Sequence, residues 1–125
     1  YGAAMLNEDF LDDVTTPDGL IAADRLTAKL HITKAELASA SGLSRDAVSK
    51  SARIETRATQ ARMRDMVEII NRVGPWAGSV GQAFAWYRSQ SLPAFGDRTA
   101  EDLVKEGRAE AVKDYLSRIA AGGHA

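Results

Sequence analysis

Residues able to carry acid–base, nucleophilic or metal chemistry are few in this sequence and are widely separated. The two histidines, His31 and His124, lie far apart, and the chain contains no cysteine. The adjacent acids at 12–13 and 101–102 fit a solvated face and a helix start better than a catalytic pair. We therefore expect no enzyme activity, no catalytic residues, no metal site and no cofactor.

Nucleotide-binding and membrane-spanning patterns are also missing. The segment "GPWAGSVG", residues 74–81, has scattered glycines without the preceding strand that a dinucleotide site requires. The longest apolar run is Ala83–Tyr87, far shorter than the ~20 residues needed to cross a bilayer. These features predict a cytoplasmic protein that acts by binding.

Charge is distributed unevenly, although the net charge of the 125 residues is only −1. Residues 1–24 carry six acids and no base, for a net of −6. Residues 25–64 carry nine bases and three acids, for a net of +6, and residues 65–125 carry a net of −1. An acidic leader, a basic middle and a balanced tail predict different partners for different segments.

Every strong hydrophobic periodicity in the chain is helical, so the fold class is predicted to be all-α. Side chains suited to helix N-caps precede the apolar stripes at Asp18, Thr33, Ser44, Ser79 and Thr99. Capping boxes are predicted where an acid or amide follows three positions later, as in Thr33/Glu36, Ser79/Gln82 and Thr99/Asp102. A longer stripe begins near Thr56, and Gly74 with Pro75 is expected to end it.

The basic middle contains a helix-turn-helix pattern in "TKAELASASGLSRDAVSK", Thr33–Lys50. In this pattern, Ala38 is the small residue at the helix crossing and Gly42 lies in the turn. Leu43 and Val48 fill the core that the two helices share. In DNA-binding versions, the start of the second helix enters the major groove. The predicted DNA-contacting residues are Ser44, Arg45, Ser49, Lys50, Arg53 and Arg57. Alternatively, the unit serves packing or dimerisation, and Asp46 weakens the DNA interpretation because an acid there repels phosphate.

The C-terminal part combines a Trp-containing helix, a Gly-x-Arg-Thr turn, a Leu-Val helix and a last helix that follows a glycine. The residues that carry this pattern are Trp86, Pro93, Gly96, Arg98, Thr99, Leu103, Val104, Gly107, Val112 and Leu116. In this order they resemble the C-terminal toxin-binding domain of the Xre/MbcA/ParS antitoxins, over about residues 76–121. Two departures are Asp97 and Ala100, where many members carry glycine and proline.

The charge pattern and this resemblance together predict a three-part organisation. The parts are an acidic leader (1–18), for which the resemblance does not account, a helix-turn-helix-like domain with a long connecting helix (19–74), and a toxin-binding domain with a C-terminal tail (75–125). The function that the resemblance implies is that of a type II antitoxin, which blocks the NAD pocket of a RES-domain toxin related to ADP-ribosyltransferases. Antitoxins of this kind often repress their own operon, and the resemblance implies that role as well.

Candidate toxin contacts each have a structural alternative. The aromatic anchors Trp86 and Phe95 are equally consistent with core positions, and Arg98 with a bond to the local backbone. Arg88, Lys105 and Arg108 are expected as charges at the rim of an interface. The tail "RIAAGGHA" is expected to leave its helix and reach the toxin pocket, which adds Gly122, Gly123, His124 and Ala125 to the candidates, against a frayed end as the alternative.

A rival hypothesis is a transcriptional regulator whose C-terminal half only dimerises it. Self-association is expected on either hypothesis, because a helix-turn-helix monomer reads few base pairs. The apolar faces of residues 56–74 and 79–90 are also larger than one small core obviously needs. The expected partners are therefore a RES-domain toxin, a second copy of the chain and operator DNA, but no membrane.

Overall fold

The helical periodicities of the sequence form helices in the computed structural model, which describes residues 10–122. A helical segment at 10–14 precedes α1 (Ala23–Leu30), α2 (Lys34–Ser41), α3 (Arg45–Ser49), α4 (Ser51–Ile54), α5 (Arg57–Ala77), α6 (Val80–Ser89), α7 (Ala100–Lys105) and α8 (Ala109–Gly122), with a 3₁₀ turn at Pro93–Phe95. Within residues 10–122 there is no strand, and pairing is limited to two isolated bridges, Thr15–Ile21 and Leu92–Arg98. The all-α prediction is confirmed.

Two of the predicted capping boxes are complete. Thr33 at the start of α2 and Thr99 at the start of α7 each exchange both hydrogen bonds with the acid three positions later. At α6, the Ser79 hydroxyl accepts from the Gln82 N–H at 3.1 Å, but the Gln82 side chain does not return the bond. Each cap satisfies backbone donors that have no partner within the helix.

The first helix starts later than predicted, so the assignment of Asp18 as its cap is wrong. The α1 helix begins at Ala23, and its N-cap, Ala22, makes no side-chain bond. The backbone of Ile21 is instead held by the buried Gln60 side chain, which accepts from its N–H at 2.8 Å and donates to its carbonyl at 3.0 Å. Since both polar groups of Ile21 are taken by α5, the segment before α1 stays non-helical.

The long helix also passes through the predicted stop at Gly74 and Pro75. It ends at Ala77, with Gly78 in the left-handed conformation donating to the Gly74 carbonyl at 3.0 Å. Proline usually clashes with the Cβ of the residue before it, and Gly74 has none. Because Pro75 lies in the last turn, its missing N–H removes only one helical bond, to the Asn71 carbonyl.

One hydrophobic core is shared by the two halves of the chain. The central α5 buries one face against α6 and α8 and also contacts α2 and α7. Its predicted stripe is buried at every position: Met63, Met66, Val67, Ile70 and Val73. The expected boundary at residue 75 therefore falls inside a helix whose core contacts reach both halves.

Polar contacts also join the halves. The Tyr87 hydroxyl on α6 donates to the Ala40 carbonyl at the end of α2, at 2.6 Å. The Arg62 guanidinium on α5 donates to the Val104 carbonyl on α7. These bonds satisfy backbone acceptors near helix C-termini, which have no donor within their own helix.

Lys113 on α8 lies in an acidic cluster against α5. Its ammonium group contacts Asp65 at 2.8 Å, Glu68 at 2.6 Å and Glu110 at 3.2 Å, while its side chain is only 9% exposed. Burial alone would lower the pKa of Lys113, but the hydrogen bonds to Asp65 and Glu68 outweigh it and raise that pKa. Lys113 is thus a charged link between α5 and α8.

The fold removes one of the two reasons for expecting self-association, namely the apolar faces of the helices. Most of the large apolar side chains of 56–74 and 79–90 that suggested spare surface, including Met66, Ile70 and Tyr87, are buried within a single chain, while Val80 and Trp86 are half-buried. A dimer therefore stays a prediction that depends on the helix-turn-helix argument alone. In the part of the chain that the structure describes, no helix is both long and apolar enough to cross a membrane.

Candidate functional site

An open groove lies between the end of α5, the end of α6 and the outer side of α8. Its volume is about 340 Å³. We call it the aromatic groove, and define it by its lining residues: Trp76, Trp86, Gln90, Ser91, Leu92, Pro93, Tyr115, Leu116 and Ile119. Of these, Trp86 alone was among the residues predicted to contact a toxin.

The floor of the aromatic groove is formed by the connection after α6. The Leu92 N–H donates to the Arg98 carbonyl at 2.9 Å, and the Leu92 carbonyl accepts from the Asp97 N–H at 3.0 Å. The chain reverses through Gly96 (φ 68°) and Asp97 (φ 65°), both left-handed. Asp97 is therefore a departure from glycine at a position that favours glycine, and an aspartate tolerates this backbone better than most residues.

Trp76 stands at the rim of the aromatic groove. It is 44% exposed, and no other large hydrophobic side chain in residues 10–122 is exposed. The helix brings it there because α5 continues for one more residue after Trp76 instead of stopping at Pro75. Trp86 is half-buried and packs against the core from α6. An exposed tryptophan next to a half-buried one is typical of a binding anchor.

The opposite wall is a continuation of the apolar stripe of α8. Val112 and Leu116 are buried in the core, while Tyr115 and Ile119 are only half-buried. The last stripe is therefore wider than the core needs, and its outer edge faces the groove. Tyr115 also meets Phe95 in an edge-to-face contact, with ring centroids 5.6 Å apart.

The predicted cations are engaged within the chain. Arg88 is bound to the buried carboxylate of Glu101 through Nε at 2.7 Å and a second nitrogen at 3.3 Å, and this hydrogen bonding raises the pKa of Arg88. Lys105 contacts the same carboxylate at 2.7 Å. Arg88 thus joins α6 to α7, whereas the Lys105 pair lies within α7.

The two remaining arginines flank the connection. Arg98 pairs with Glu106, rather than leaving its guanidinium free for a partner. Arg108 lies over the Phe95 ring, 5.6 Å from its centroid, which is within the range of a cation–π contact. Phe95 is half-buried by these contacts and does not line the aromatic groove.

The predicted tail lies mostly outside the described residues. Gly122 is the exposed last residue of α8, so the helix continues through it. Gly123, His124 and Ala125 fall beyond residue 122, and the insertion hypothesis for them stays a prediction. The leader is described only from residue 10, where a helical turn buries Phe10 and Val14 in the core.

The predicted DNA-contacting residues lie on two short helices and the start of α5. Ser44 caps α3 by accepting from the Ala47 N–H at 3.2 Å. The side chains of Arg45, Ser49, Lys50, Arg53 and Arg57 are exposed. The α3 helix is only five residues long and stops at the extended Lys50, whose ammonium group lies 3.9 Å from Asp46.

The lining of the aromatic groove is suited to recognition of an apolar surface. Among the described residues that line it, none carries a carboxylate, amine, guanidinium or imidazole group. Within residues 10–122, no group of three potential metal ligands is clustered. Apolar burial, supplemented by the indole, amide and hydroxyl groups of the lining, is the interaction that remains.

Sequence reasoning missed most of the aromatic groove, for an identifiable reason. Because the long helix was expected to end at Gly74 and Pro75, Trp76 fell outside it. The helical periodicity therefore gave no information on the direction of its side chain. Tyr115 and Ile119 continue the apolar stripe of Val112 and Leu116, but a stripe in a sequence does not show where the core ends. The available signal was the i, i+4 spacing of these two residues on the outer edge of α8.

Comparison with known proteins identifies the segment that carries this groove. Residues 76–122 match the family model described as the antitoxin Xre/MbcA/ParS C-terminal toxin-binding domain. No curated protein and no solved structure matches the chain. All lining residues of the aromatic groove fall inside the matched segment.

Proposed function

Because residues 76–122 match the family of Xre/MbcA/ParS C-terminal toxin-binding domains, we propose that the chain is the antitoxin of a type II pair whose toxin is a RES-domain protein. The match to a toxin-binding domain is the observation that carries the proposal. The groove in that segment, with its exposed Trp76, supports it because the surface is suited to binding a protein.

The proposed mechanism is steric. RES-domain toxins resemble ADP-ribosyltransferases and consume NAD, so an antitoxin that covers the mouth of the NAD pocket stops the reaction without chemistry of its own. Such an inhibitor needs a complementary surface and a few buried anchors. The paired states of Arg88 and Arg98 support an interface in which shape and apolar contact contribute more than free charge.

The direct test is NAD turnover by the RES-domain protein encoded beside this chain, titrated with the intact chain. Inhibition that is complete near a fixed molar ratio is expected. If turnover continues at saturating chain, the antitoxin proposal is wrong, and a gene neighbourhood without a RES-domain protein would overturn the choice of toxin class.

Blocking of the NAD pocket has a separate kinetic signature. If the chain covers the pocket, NAD and the chain compete, and a higher NAD concentration should raise the amount of chain needed for half-inhibition. An amount that does not change with NAD would place the chain elsewhere on the toxin. That result would leave antitoxin activity intact and refute only the pocket mechanism.

A second proposed role is repression of the operon through residues 44–57. The exposed bases Arg45, Lys50, Arg53 and Arg57 favour it, since phosphate contacts dominate DNA affinity. The double substitution of Arg53 and Arg57 by alanine should weaken binding to the upstream DNA and reduce its salt dependence. Equal affinity of the variant and the wild type would exclude these residues from DNA contact.

A further inference from the structure

We propose that the aromatic groove receives the apolar face of a helix from the toxin, with Trp76 and Ile119 as its two rim anchors; this inference rests on the proposed antitoxin function. The groove is lined by residues between Trp76 and Ile119, and all of them lie in the segment that matches a toxin-binding domain. Among these lining residues, Trp86 is the one predicted toxin contact, although Pro93 and Leu116 also belong to the sequence pattern of the toxin-binding domain.

The lining selects an apolar partner. Among the described residues, it combines two tryptophans, a tyrosine, four aliphatic or proline side chains and two neutral polar ones, without any charged group. A charged side chain entering it would lose hydration and find no counter-charge. The complementary surface on the toxin must therefore carry aliphatic or aromatic side chains at the centre, with polar groups kept at the edge.

The backbone around the groove favours a helix over a strand as the occupant. Strand addition needs a row of unpaired N–H and C=O groups. The Leu92 N–H donates to Arg98, and its carbonyl accepts from both Phe95 and Asp97. Because both backbone groups of Leu92 are already hydrogen-bonded within the chain, side chains must supply the affinity, as in the helix-in-groove mode.

A second copy of the chain is a weaker candidate for the occupant. The outward surfaces of the helices have no other exposed large apolar side chain within residues 10–122 to place in the groove. Trp76 itself is on the groove rim, so a symmetric pair would have to put two rims against each other. A toxin helix requires no such self-complementarity.

The decisive variant is Ile119→Asp, with Ala120→Asp as its matched control. Both add the same charge to neighbouring positions of α8, but Ala120 is exposed and outside the groove. We expect Ile119→Asp to weaken toxin binding at least about 30-fold, the size of a hot-spot loss, and Ala120→Asp to bind like the wild type. Trp76→Ala should show a loss similar to that of Ile119→Asp.

Three further readouts make the proposal specific. Unfolding free energies of the variants should match the wild type, so that weak binding cannot reflect misfolding. The dissociation constant should change little between low and high salt, because no charge lines the groove. Hydrogen exchange in the complex should show protection of one toxin helix, together with residues 90–93 and 115–119 of this chain.

The results distinguish a failure of the proposed antitoxin function from a failure of the groove as the toxin site. If the wild type does not bind the toxin, the proposed function fails. If the wild type binds and inhibits while Ile119→Asp does so equally well, the groove is not the toxin site and only this inference fails. Protection of a toxin strand or loop instead of a helix would also overturn it, as would a dimer that Ile119→Asp dissociates while toxin binding persists.

Discussion

The Tyr87 hydroxyl on α6 donates a hydrogen bond to the Ala40 carbonyl at 2.6 Å, near the C-terminal end of α2. The turn after α2 satisfies the Ala38 and Ser39 carbonyls through the left-handed Gly42. Ala40 is left to find its donor elsewhere, and the side chain of a residue in the matched segment supplies it. One hydrogen bond thus connects the predicted DNA-binding half to the toxin-binding half.

Replacing Tyr87 with phenylalanine should lower the free energy of unfolding by about 1–3 kcal/mol, because the buried Ala40 carbonyl loses its donor. The ring would still fill its place in the core. Urea unfolding of the full chain measures the loss. Tyr115→Phe is the control, since that hydroxyl makes no hydrogen bond to residues 10–122, and an equal loss in both variants would contradict the assigned role.

Alkaline pH should destabilise the protein through the same residue. Burial raises the pKa of Tyr87, so above the ordinary tyrosine pKa of about 10 the unfolded chain loses a proton that the folded chain keeps. Stability from this group is therefore present below about pH 10 and falls as the pH rises further. Lys113 acts in the same direction, because its pKa is also raised.

The measurement is urea unfolding at a series of pH values from neutral to about 11. The wild type should lose stability more steeply than Tyr87→Phe in the upper part of this range. Parallel curves for the two proteins would show that Tyr87 does not contribute to the pH dependence.

Two glycines in the left-handed conformation should differ in their tolerance of alanine. Gly42 (φ 73°) would place a Cβ 3.2 Å from the Lys105 backbone, whereas Gly96 (φ 68°) has nothing within 4 Å of that position. Gly96→Ala should cost about 1–2 kcal/mol from the backbone alone. Gly42→Ala should cost measurably more in thermal unfolding, since α2 and α7 must also separate; equal costs would argue against close packing there.

The buried cluster around Lys113 should contribute more to the free energy of unfolding than a surface ion pair. Lys113→Met removes charged hydrogen bonds to Asp65 and Glu68, which we expect to cost about 1.5–3 kcal/mol of unfolding free energy. Lys29→Met is the matched control. It breaks an exposed pair with Asp13 and should cost at most about 1 kcal/mol. Similar values for the two variants would mean that the cluster adds nothing beyond a surface pair.

The predictability of the fold depended on local signals. Caps at Thr33 and Thr99 and the buried stripe of α5 were visible because their chemistry is contained within one turn or one face of a helix. The start of α1 was not visible in this way, since it depends on the two hydrogen bonds between the Ile21 backbone and the side chain of Gln60, 39 positions further along the chain. The sequence analysis expected Pro75 to end the helix, but Gly74 has no Cβ with which the proline ring could clash. This steric effect between two neighbouring residues does not change the hydrophobic periodicity of the sequence, so the periodicity does not reveal it.

The site was less predictable than the fold. Which apolar side chains remain uncovered is decided by the packing of all helices together. Trp76 therefore has no signature of its own in the sequence, and Ile119 has only its spacing from Tyr115 on one helix face. Similarly, Arg88 and Arg98 looked like free cations until the structure showed Glu101 and Glu106 beside them. Charges are visible in a sequence, but their partners often are not.

The common core has a consequence for how new toxin specificities arise. A chimera joined at residue 75 would cut α5 and combine core side chains that have not been matched to one another. Such exchanges should give poorly folded hybrids more often than working ones. Substitution at the rim of the aromatic groove leaves the core intact. On the proposed function, a change of toxin is therefore easier to reach by grafting a few surface residues than by recombining halves.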